Sequence, residues 1–372
     1  MTPPTRLLMG PGPSNPHPDV TRAMGEPMVG HLDPYFLGVM DETMADLREI
    51  FGTTSHHTIP MSGTGSAGLE SIMLNLLEPG DEAIVGVIGY FGERLATMAN
   101  KAGANVRRIE EDLGGIIDPA RVEKALKEKP AKLVAMVHAE TSTGACQPLE
   151  DISRIAHEYG ALFAVDCVTS LGGMPVDVDR IGIDAAGSCS QKCIGAPPGL
   201  GPVTFGPRAI EAVANRKTET PTWYLDLNLV FQYWGDAEGA KDRVFHHTAP
   251  VAGLYGFNKA LRLILEEGLD SRYARHKKAH DHFRAGLEKL GLSLFTPESH
   301  RLPMLNVVNI PEDVDDLAVR KALLQRDVEI SAGFGSLKGK AWRVGLMGYN
   351  ADPDRIDILL QALEEVLKEV RK

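Results

Sequence analysis

Apolar residues in the first two thirds of the chain form short runs separated by amphipathic segments. The runs predict strands at 82–88, 105–110, 131–137 and 161–165. The segments between them repeat their apolar residues with the period of a helix, which predicts helices at 68–77, 93–101, 119–129 and 151–159. Apolar strands that alternate with helices are typical of a parallel sheet covered on both faces, so we expect an α/β fold.

The pattern changes after about residue 215. Residues 218–249 are irregular and rich in aromatic residues, and two long helices are predicted at 251–267 and 270–290. Strand-like segments at 304–310, 328–331 and 342–346 then alternate with predicted helices at 315–325 and 353–369. We expect a Pro- and Gly-rich N-terminal arm at 1–15, a large domain at 16–267 and a smaller C-terminal α+β domain at 268–372.

The charge balance is acidic. Lys and Arg total 39 against 50 Asp and Glu, a net charge of −11, which argues against a nucleic-acid partner. Hydrophobic residues make up 43% of the 372 residues, too many for a disordered chain. The longest apolar runs are far shorter than the roughly 20 residues of a membrane helix. No signal-peptide core is evident and only four cysteines occur, so we expect a cytoplasmic protein without membrane contact.

The first candidate motif is the glycine-rich turn Gly63-Thr-Gly65-Ser-Ala-Gly68, which opens a predicted helix. It matches the dinucleotide-binding pattern, but Asp81 precedes the next strand instead of ending it, which weakens a nicotinamide interpretation. It is equally compatible with a packing turn between strand and helix. The third interpretation is a phosphate site built from helix N–H groups and the hydroxyls of Thr64 and Ser66.

Two charged residues stand where ligands bind in parallel sheets, at strand ends. Asp166 ends the run 161–165 and is compatible with a turn cap, a metal ligand, a ribose contact or a partner for a protonated ring nitrogen. Lys192 follows small residues and precedes a Pro- and Gly-rich turn, again at the predicted end of a short strand. A lysine in such a confined place loses its proton readily and attacks carbonyls.

Together these three features are the parts of a pyridoxal 5′-phosphate site. The glycine turn would hold the phosphate, Asp166 would keep the pyridine nitrogen protonated, and Lys192 would form the Schiff base.

The cysteine and histidine clusters are weaker candidates for a functional site. Cys189 and Cys193 are interpreted as packing residues, and the histidines of the predicted helix 270–290 are interpreted as part of a solvated face, namely His276, His280 and His282.

Six segments occur together along the chain: Gly10-Pro-Gly-Pro-Ser-Asn15, Ser62-Gly-Thr-Gly-Ser66, Glu140-Thr-Ser-Thr-Gly144, Ser190-Gln-Lys192, His246-His-Thr248 and Trp342-Arg343-Val-Gly-Leu-Met-Gly348. As a set they resemble the class V aminotransferases of fold type I, most closely the alanine–glyoxylate and serine–pyruvate aminotransferases. The resemblance covers essentially the whole chain. It implies a mostly parallel central sheet, a smaller C-terminal α+β domain, pyridoxal 5′-phosphate as the cofactor and a homodimer with shared active sites.

The resemblance also implies roles for individual residues. Lys192 would form the covalent link and shuttle a proton, and Asp166 would pair with the pyridinium nitrogen. The other cofactor contacts would come from Thr64, Gly65, Ser66, Phe91, Thr141, Gln191, Phe245 and Thr248. Phe91 stands where the family usually has Trp, and Phe245 where it often has Tyr, so one stacking ring is smaller and one hydroxyl is missing. Phe245 and Thr248 would act across the dimer interface.

Substrate contacts are implied as well. Arg343 would bind a carboxylate with its planar guanidinium, and Gly12 and His31 would line the substrate pocket. From the strand pattern alone, Arg343 is also compatible with an outward-facing strand residue.

The implied reaction moves an amino group from alanine or serine to glyoxylate or pyruvate in two half-reactions. The alternatives are a ureidoglycine–glyoxylate aminotransferase, which usually carries Gln at the position of His31, and another class V enzyme such as a lyase. Outside the fold, a nicotinamide-dependent oxidoreductase and an inactive scaffold remain open.

Overall fold

The structure is a computed structural model and describes residues 3–235 and 243–371. Its helices are α1 (Pro18–Met24), α2 (Pro34–Phe51), α3 (Gly65–Leu76), α4 (Tyr90–Lys101), α5 (Pro119–Glu128), α6 (Glu150–Glu158), α7 (Val178–Ile181), α8 (Pro207–Ala214), α9 (Leu227–Trp234), α10 (Val251–Glu267), α11 (Leu269–Lys289), α12 (Asp316–Gln325) and α13 (Pro353–Val370). Its strands are β1 (Leu7–Leu8), β2 (Thr58–Ser62), β3 (Glu82–Val87), β4 (Asn105–Glu110), β5 (Leu133–Val137), β6 (Ala139–Glu140), β7 (Ala145–Cys146), β8 (Leu162–Asp166), β9 (Ala185–Gly187), β10 (Leu200–Phe205), β11 (Leu305–Asn309), β12 (Val328–Glu329), β13 (Ser331–Ala332) and β14 (Ala341–Gly345).

The central sheet has seven strands in the order β2-β10-β9-β8-β5-β3-β4. Strand β10 runs antiparallel to both neighbours, and the pairs from β9 to β4 are parallel. Every residue of β5 and β8 is buried, as expected for strands with helices on both faces. The predicted α/β fold with a mostly parallel sheet is confirmed.

A second, smaller sheet in the order β11-β14-β13 lies in the C-terminal part. A separate hydrophobic cluster surrounds it and includes Phe283, Trp342 and Leu359. The N-terminal arm reaches this cluster, because β1 pairs in parallel with β12 and the side chain of Met9 is fully buried there. Helix α10 ends at Glu267 and α11 begins at Leu269; the division of the chain into domains at this point stays a prediction.

Two predictions for the second half of the chain need correction. The segment 218–249 is irregular over its described residues except for α9, whose Tyr233 and Trp234 are fully buried in the chain's own core; residues 236–242 of the segment lie outside the described residues. In α11, His276 and His280 are buried instead of lying on a solvated face, whereas the His282 side chain is 43% exposed, as predicted. Among the described residues, no helix is both long enough and apolar enough to cross a membrane.

Candidate active site

Asp166 is the last residue of β8 and only 3% exposed. Its Oδ1 accepts the Val168 N–H at 2.9 Å, so part of the carboxylate does cap the following turn. Its Oδ2 lies 3.3 Å from Nη2 of Arg94. Burial raises the pKa of Asp166, and the positive charge of Arg94 acts in the opposite direction. The carboxylate therefore has one oxygen in a turn and the other facing a cation at the carboxyl edge of the sheet.

Arg94 is a site residue that sequence reasoning missed. It projects from α4, donates to Ser66 Oγ at 3.3 Å, and its guanidinium lies 4.6 Å from the centre of the Phe91 ring. One side chain thus links the strand-end acid, the glycine turn and the predicted stacking ring. The sequence does contain an indication of this role: Arg94 follows Phe91 by three residues, and residues i and i+3 lie on the same face of a helix.

The glycine turn leads into the N-terminus of α3. Thr64 is the N-cap, with an extended backbone and no hydrogen bond from its side chain to the helix. The first amides of a helix have no partner within the helix, so those of Gly65 and Ser66 are available to an anion. A Cβ at Gly65 would lie 2.6 Å from Cβ of Cys189, so only glycine lets the helix start approach the chain segment that carries Lys192.

Lys192 lies in a turn, five residues beyond the end of β9, and the expectation that it ends a strand is wrong. The short strand β9 stops at Gly187, and the chain must turn before it returns as β10. The Lys192 amine donates to the Pro11 carbonyl. A Cβ at Gly12, whose φ is +110°, would lie 2.6 Å from Cδ of Lys192. Burial lowers the pKa of Lys192, and the nearby charge of Arg343 lowers it further.

Two more predicted cofactor contacts lie in buried polar surroundings. Thr141 Oγ1 is 2.6 Å from Thr169 Oγ1, and both residues are buried. Gln191 has a buried side-chain oxygen, Oε1, with no hydrogen-bond partner among the described residues. A buried amide oxygen without a partner costs free energy, so its presence here favours a ligand site.

Glu140 is a second residue that sequence reasoning left without a role. It is fully buried and accepts the N–H groups of Phe91 and Gly92 at 3.1 and 3.2 Å. Its Oε1 also accepts the Ser142 hydroxyl at 2.5 Å. Burial raises the pKa of Glu140. The carboxylate caps α4 and so fixes the start of the helix that carries Phe91 and Arg94.

Arg343 lies on β14, the middle strand of the small sheet, and is 8% exposed. This burial contradicts the interpretation of Arg343 as an outward-facing strand residue. Its Nε donates to the Ala332 carbonyl at 2.9 Å, and its guanidinium carbon lies 4.2 Å from the centre of the Phe334 ring. Burial lowers the pKa of Arg343 to about 10, while the charge of Glu140 raises it. A buried guanidinium calls for an anionic partner.

The remaining predicted residues form a separate group at the surface. The rings of His31 and Phe245 are 5.3 Å apart, Phe245 is 55% exposed, and Thr248 is exposed. This group approaches the glycine turn through His247, whose Nε2 lies 2.6 Å from Ser62 Oγ. Within one chain, the structure therefore brings Gly12 to Lys192 but places His31 and Phe245 against each other.

The residues present fit pyridoxal 5′-phosphate. Two features match its charged ends: the free amides of α3 suit a phosphate, and the buried acid Asp166 suits a pyridinium nitrogen. The adjoining turn carries Lys192, whose pKa is lowered, and the buried Gln191 amide oxygen, which has no hydrogen-bond partner in the described part of the chain. The nicotinamide alternative fits less well, because Asp81 lies before β3 and pairs with Lys132 at 2.8 Å instead of ending a strand at this edge.

Comparisons with known proteins agree with this geometry. The family described as aminotransferase class-V matches residues 19–356. A (S)-ureidoglycine–glyoxylate transaminase of Bacillus subtilis is 38% identical, over 98% of this chain and 91% of its own. An alanine–glyoxylate aminotransferase of Callithrix jacchus is also 38% identical, over 99% of this chain and 89% of its own.

A solved structure shows the same likeness. The alanine–glyoxylate aminotransferase of Nostoc sp. superposes with a TM-score of 0.96 at 47% identity, covering 99% of this chain and 96% of its own. The fold is therefore that of the fold type I transferases, with pyridoxal 5′-phosphate as the cofactor. The chain belongs to the class V aminotransferase family of pyridoxal-phosphate-dependent enzymes.

Proposed function

We propose that this aminotransferase moves the amino group of a small amino acid, alanine or serine, to a small 2-oxo acid, glyoxylate or pyruvate. The observation that carries the proposal is the approach of the arm to Lys192, where the Pro11 carbonyl accepts the amine and Gly12 packs on its side chain. The arm leaves little space beside the amine, which suits a small side chain on the donor. The names of the relatives in Nostoc and Callithrix support the same choice.

The proposed roles follow from charge and position. Thr64, Gly65 and Ser66 would hold the phosphate with Gln191, while Phe91 and Thr141 would contact the ring. When bound, the cofactor supplies a protonated pyridine ring that withdraws electrons from the substrate.

The other side chains would act on protons and on the substrate. The Asp166 carboxylate holds the proton on the ring nitrogen. The Lys192 amine, whose pKa burial lowers, would take a proton from the substrate Cα and deliver it to C4′ of the cofactor. The Arg343 guanidinium binds the substrate carboxylate and so orients Cα towards Lys192.

The proposed assembly is a homodimer with shared active sites. Several large hydrophobic residues are exposed on one chain, among them Met28, Leu32, Trp223 and Phe245. Single exposed apolar residues are common on monomers, but this many large ones favour a surface that a partner covers. In this arrangement the partner would cover them, and Phe245 and Thr248 would reach the partner's cofactor phosphate. His31 would lie in the same interface, because it packs on Phe245. Sedimentation of the holoenzyme tests this directly, and a monomer at micromolar concentration would refute it.

A comparison of amino donors tests the reaction. The wild-type enzyme is expected to form pyruvate from L-alanine with glyoxylate as acceptor, and initial rates should follow ping-pong kinetics. Lys192→Ala should lose the visible absorption band of the Schiff base between lysine and cofactor, and all turnover. If neither L-alanine nor L-serine changes the cofactor spectrum, the proposed donor class is wrong.

The second candidate is a ureidoglycine–glyoxylate transaminase, because the Bacillus subtilis relative is as similar to this chain, at 38% identity, as the alanine–glyoxylate aminotransferase of Callithrix jacchus. The same assay with (S)-ureidoglycine separates the two, since the better donor has the higher kcat/KM.

We also propose a cytoplasmic location, which the four free cysteines support, and fractionation of the source cells tests it.

A further inference from the structure

Phe334 is an aromatic residue that no part of the proposed mechanism uses. It lies between β13 and β14, and its ring contacts both the small sheet and α4. The Arg343 guanidinium carbon is 4.2 Å from the ring centre. The Tyr90 ring stacks on the same ring at 4.7 Å with an angle of 2° between the planes. The Phe91 ring meets it edge-on, with centres 6.1 Å apart.

Two contacts from one short segment determine the orientation of Arg343. The hydrogen bond from Nε to Ala332 limits rotation within the guanidinium plane. The Phe334 ring limits tilting of that plane, because a guanidinium is attracted to an aromatic face. The bond from Nε leaves the two terminal nitrogens for a carboxylate, which they bind best as a planar pair.

The segment itself is fixed to α4. Tyr90 is the first residue of α4, and its N–H donates to Ser142 Oγ at 3.0 Å. Glu140 accepts the N–H groups of the next two residues. The orientation of Arg343 therefore depends, through Phe334 and Tyr90, on the same helix start that carries the predicted stacking ring Phe91.

We propose that Phe334 is a positioning residue for substrate-carboxylate binding, which holds the Arg343 guanidinium in plane and ties it to α4 through Tyr90. The inference rests on the proposed function, because it takes Arg343 as the carboxylate contact. Phe334 touches Arg343 and aromatic rings and acts on the substrate only through them. Its loss should weaken the binding of the carboxylate and leave the chemistry of the amine unchanged.

The test measures the first half-reaction of the holoenzyme by the change in cofactor absorbance. L-alanine is compared with ethylamine, which has the same amino group and methyl group but no carboxylate. Phe334→Leu should raise the half-saturating L-alanine concentration by about 2- to 30-fold, the range of one cation–π contact. The limiting rate and the ethylamine rate should change less than twofold. Phe334→Tyr, which keeps the aromatic face, should restore the wild-type value.

A second pair of variants tests the link to α4. Tyr90→Leu should raise the half-saturating L-alanine concentration, whereas Tyr90→Phe should not. The proposal is overturned if Phe334→Leu leaves that concentration within twofold of wild type. It is equally overturned if Phe334→Leu slows the ethylamine reaction by the same factor, or loses the cofactor, since either result would indicate a general structural role. A wild-type enzyme whose cofactor spectrum changes with neither L-alanine nor L-serine would contradict the proposed function itself, and this result is obtained before any variant is made. If only L-serine reacts, L-serine and ethanolamine replace L-alanine and ethylamine in the same test.

Discussion

Replacing Arg272 by methionine gives the sharpest test of how α11 supports the active site. The guanidinium is 6% exposed, and it donates to the carbonyls of Gly172 and Cys193 at 2.8 and 2.6 Å. It also pairs with Glu267 at 2.8 Å. Methionine keeps most of the buried stem but removes every donor. Since the Cys193 carbonyl follows Lys192 directly, the variant loosens the turn that presents the lysine.

The magnitude follows from the contacts that are lost. Two buried carbonyls lose a charged donor, at about 1–3 kcal/mol each. Glu267 is not stranded, because Arg275 also pairs with it at 2.6 Å. We therefore expect Arg272→Met to lower the free energy of unfolding by about 3–5 kcal/mol, within the range for breaking a buried ion pair.

Urea unfolding followed by tryptophan fluorescence measures this loss. All variants are compared at the same protein concentration, because dimerisation would add to the apparent stability. Lys277→Met on the same helix is the matched control, since Lys277 is 70% exposed and should change stability by less than about 0.5 kcal/mol. An unfolding free energy for Arg272→Met within about 1 kcal/mol of the control, which is at most about fivefold in the unfolding equilibrium, would refute this role of Arg272.

Three further predictions concern charge. Asp166→Asn should lower kcat by about 100-fold while the cofactor stays bound, which stopped-flow half-reactions and the absorption spectrum measure; an active variant would contradict the ring-nitrogen role. Glu140→Ala should cost about 2 kcal/mol in urea unfolding, because two N–H groups of α4 lose their acceptor; unchanged stability would refute the capping role. Burial lowers the pKa of His276 to about 3, so its neutral form stabilises the fold fully above its ordinary pKa of about 6.5, and stability falls as the pH drops towards 3. His276→Gln should flatten this fall between pH 6.5 and 5, and an unchanged pH profile would contradict it.

The parts of the fold that were predicted best are those marked by a local pattern of apolar residues in the sequence. The apolar runs at 133–137 and 162–165 mark central strands because parallel strands bury both faces. Asp166 was identifiable for the same reason, as the first charge after such a run. Glu140 follows an equally apolar strand closely, and the same rule applied to it would have indicated a site residue.

The predictions for α11 were wrong because they relied on the polarity of single residues and not on their spacing along the helix. Arg272, His276 and Phe283 are spaced by four and seven residues, which places them on one face of α11 with Leu287. The polarity of His276 suggested a solvent-exposed position, but its helical spacing from Phe283 and Leu287 indicated burial. His276 is buried because its Nε2 accepts the Gly348 N–H at 3.1 Å, a contact between residues 72 positions apart.

Some contacts have no local signal at all. Tyr90 and Phe334 stack although 244 positions separate them in the chain. Only the packing of the small sheet against α4 brings them together. The cation–π contact of Arg343 depends on the same packing, so no pattern in either segment could predict it.

The pairing of β1 with β12 also determines the order in which the enzyme can assemble. Leu7 pairs with Val328, and the Met9 carbonyl accepts the Gly345 N–H at 2.9 Å. The arm is synthesised before the large domain, yet its partners follow it by more than 300 residues, which is a contact of very high sequence separation. A nascent chain that has already folded its large sheet still lacks the enclosure of Lys192 by Pro11 and Gly12. Complete enclosure of Lys192 by the arm therefore requires the segments that contain Val328 and Gly345, and a chain that stops before them would not hold the arm in this position.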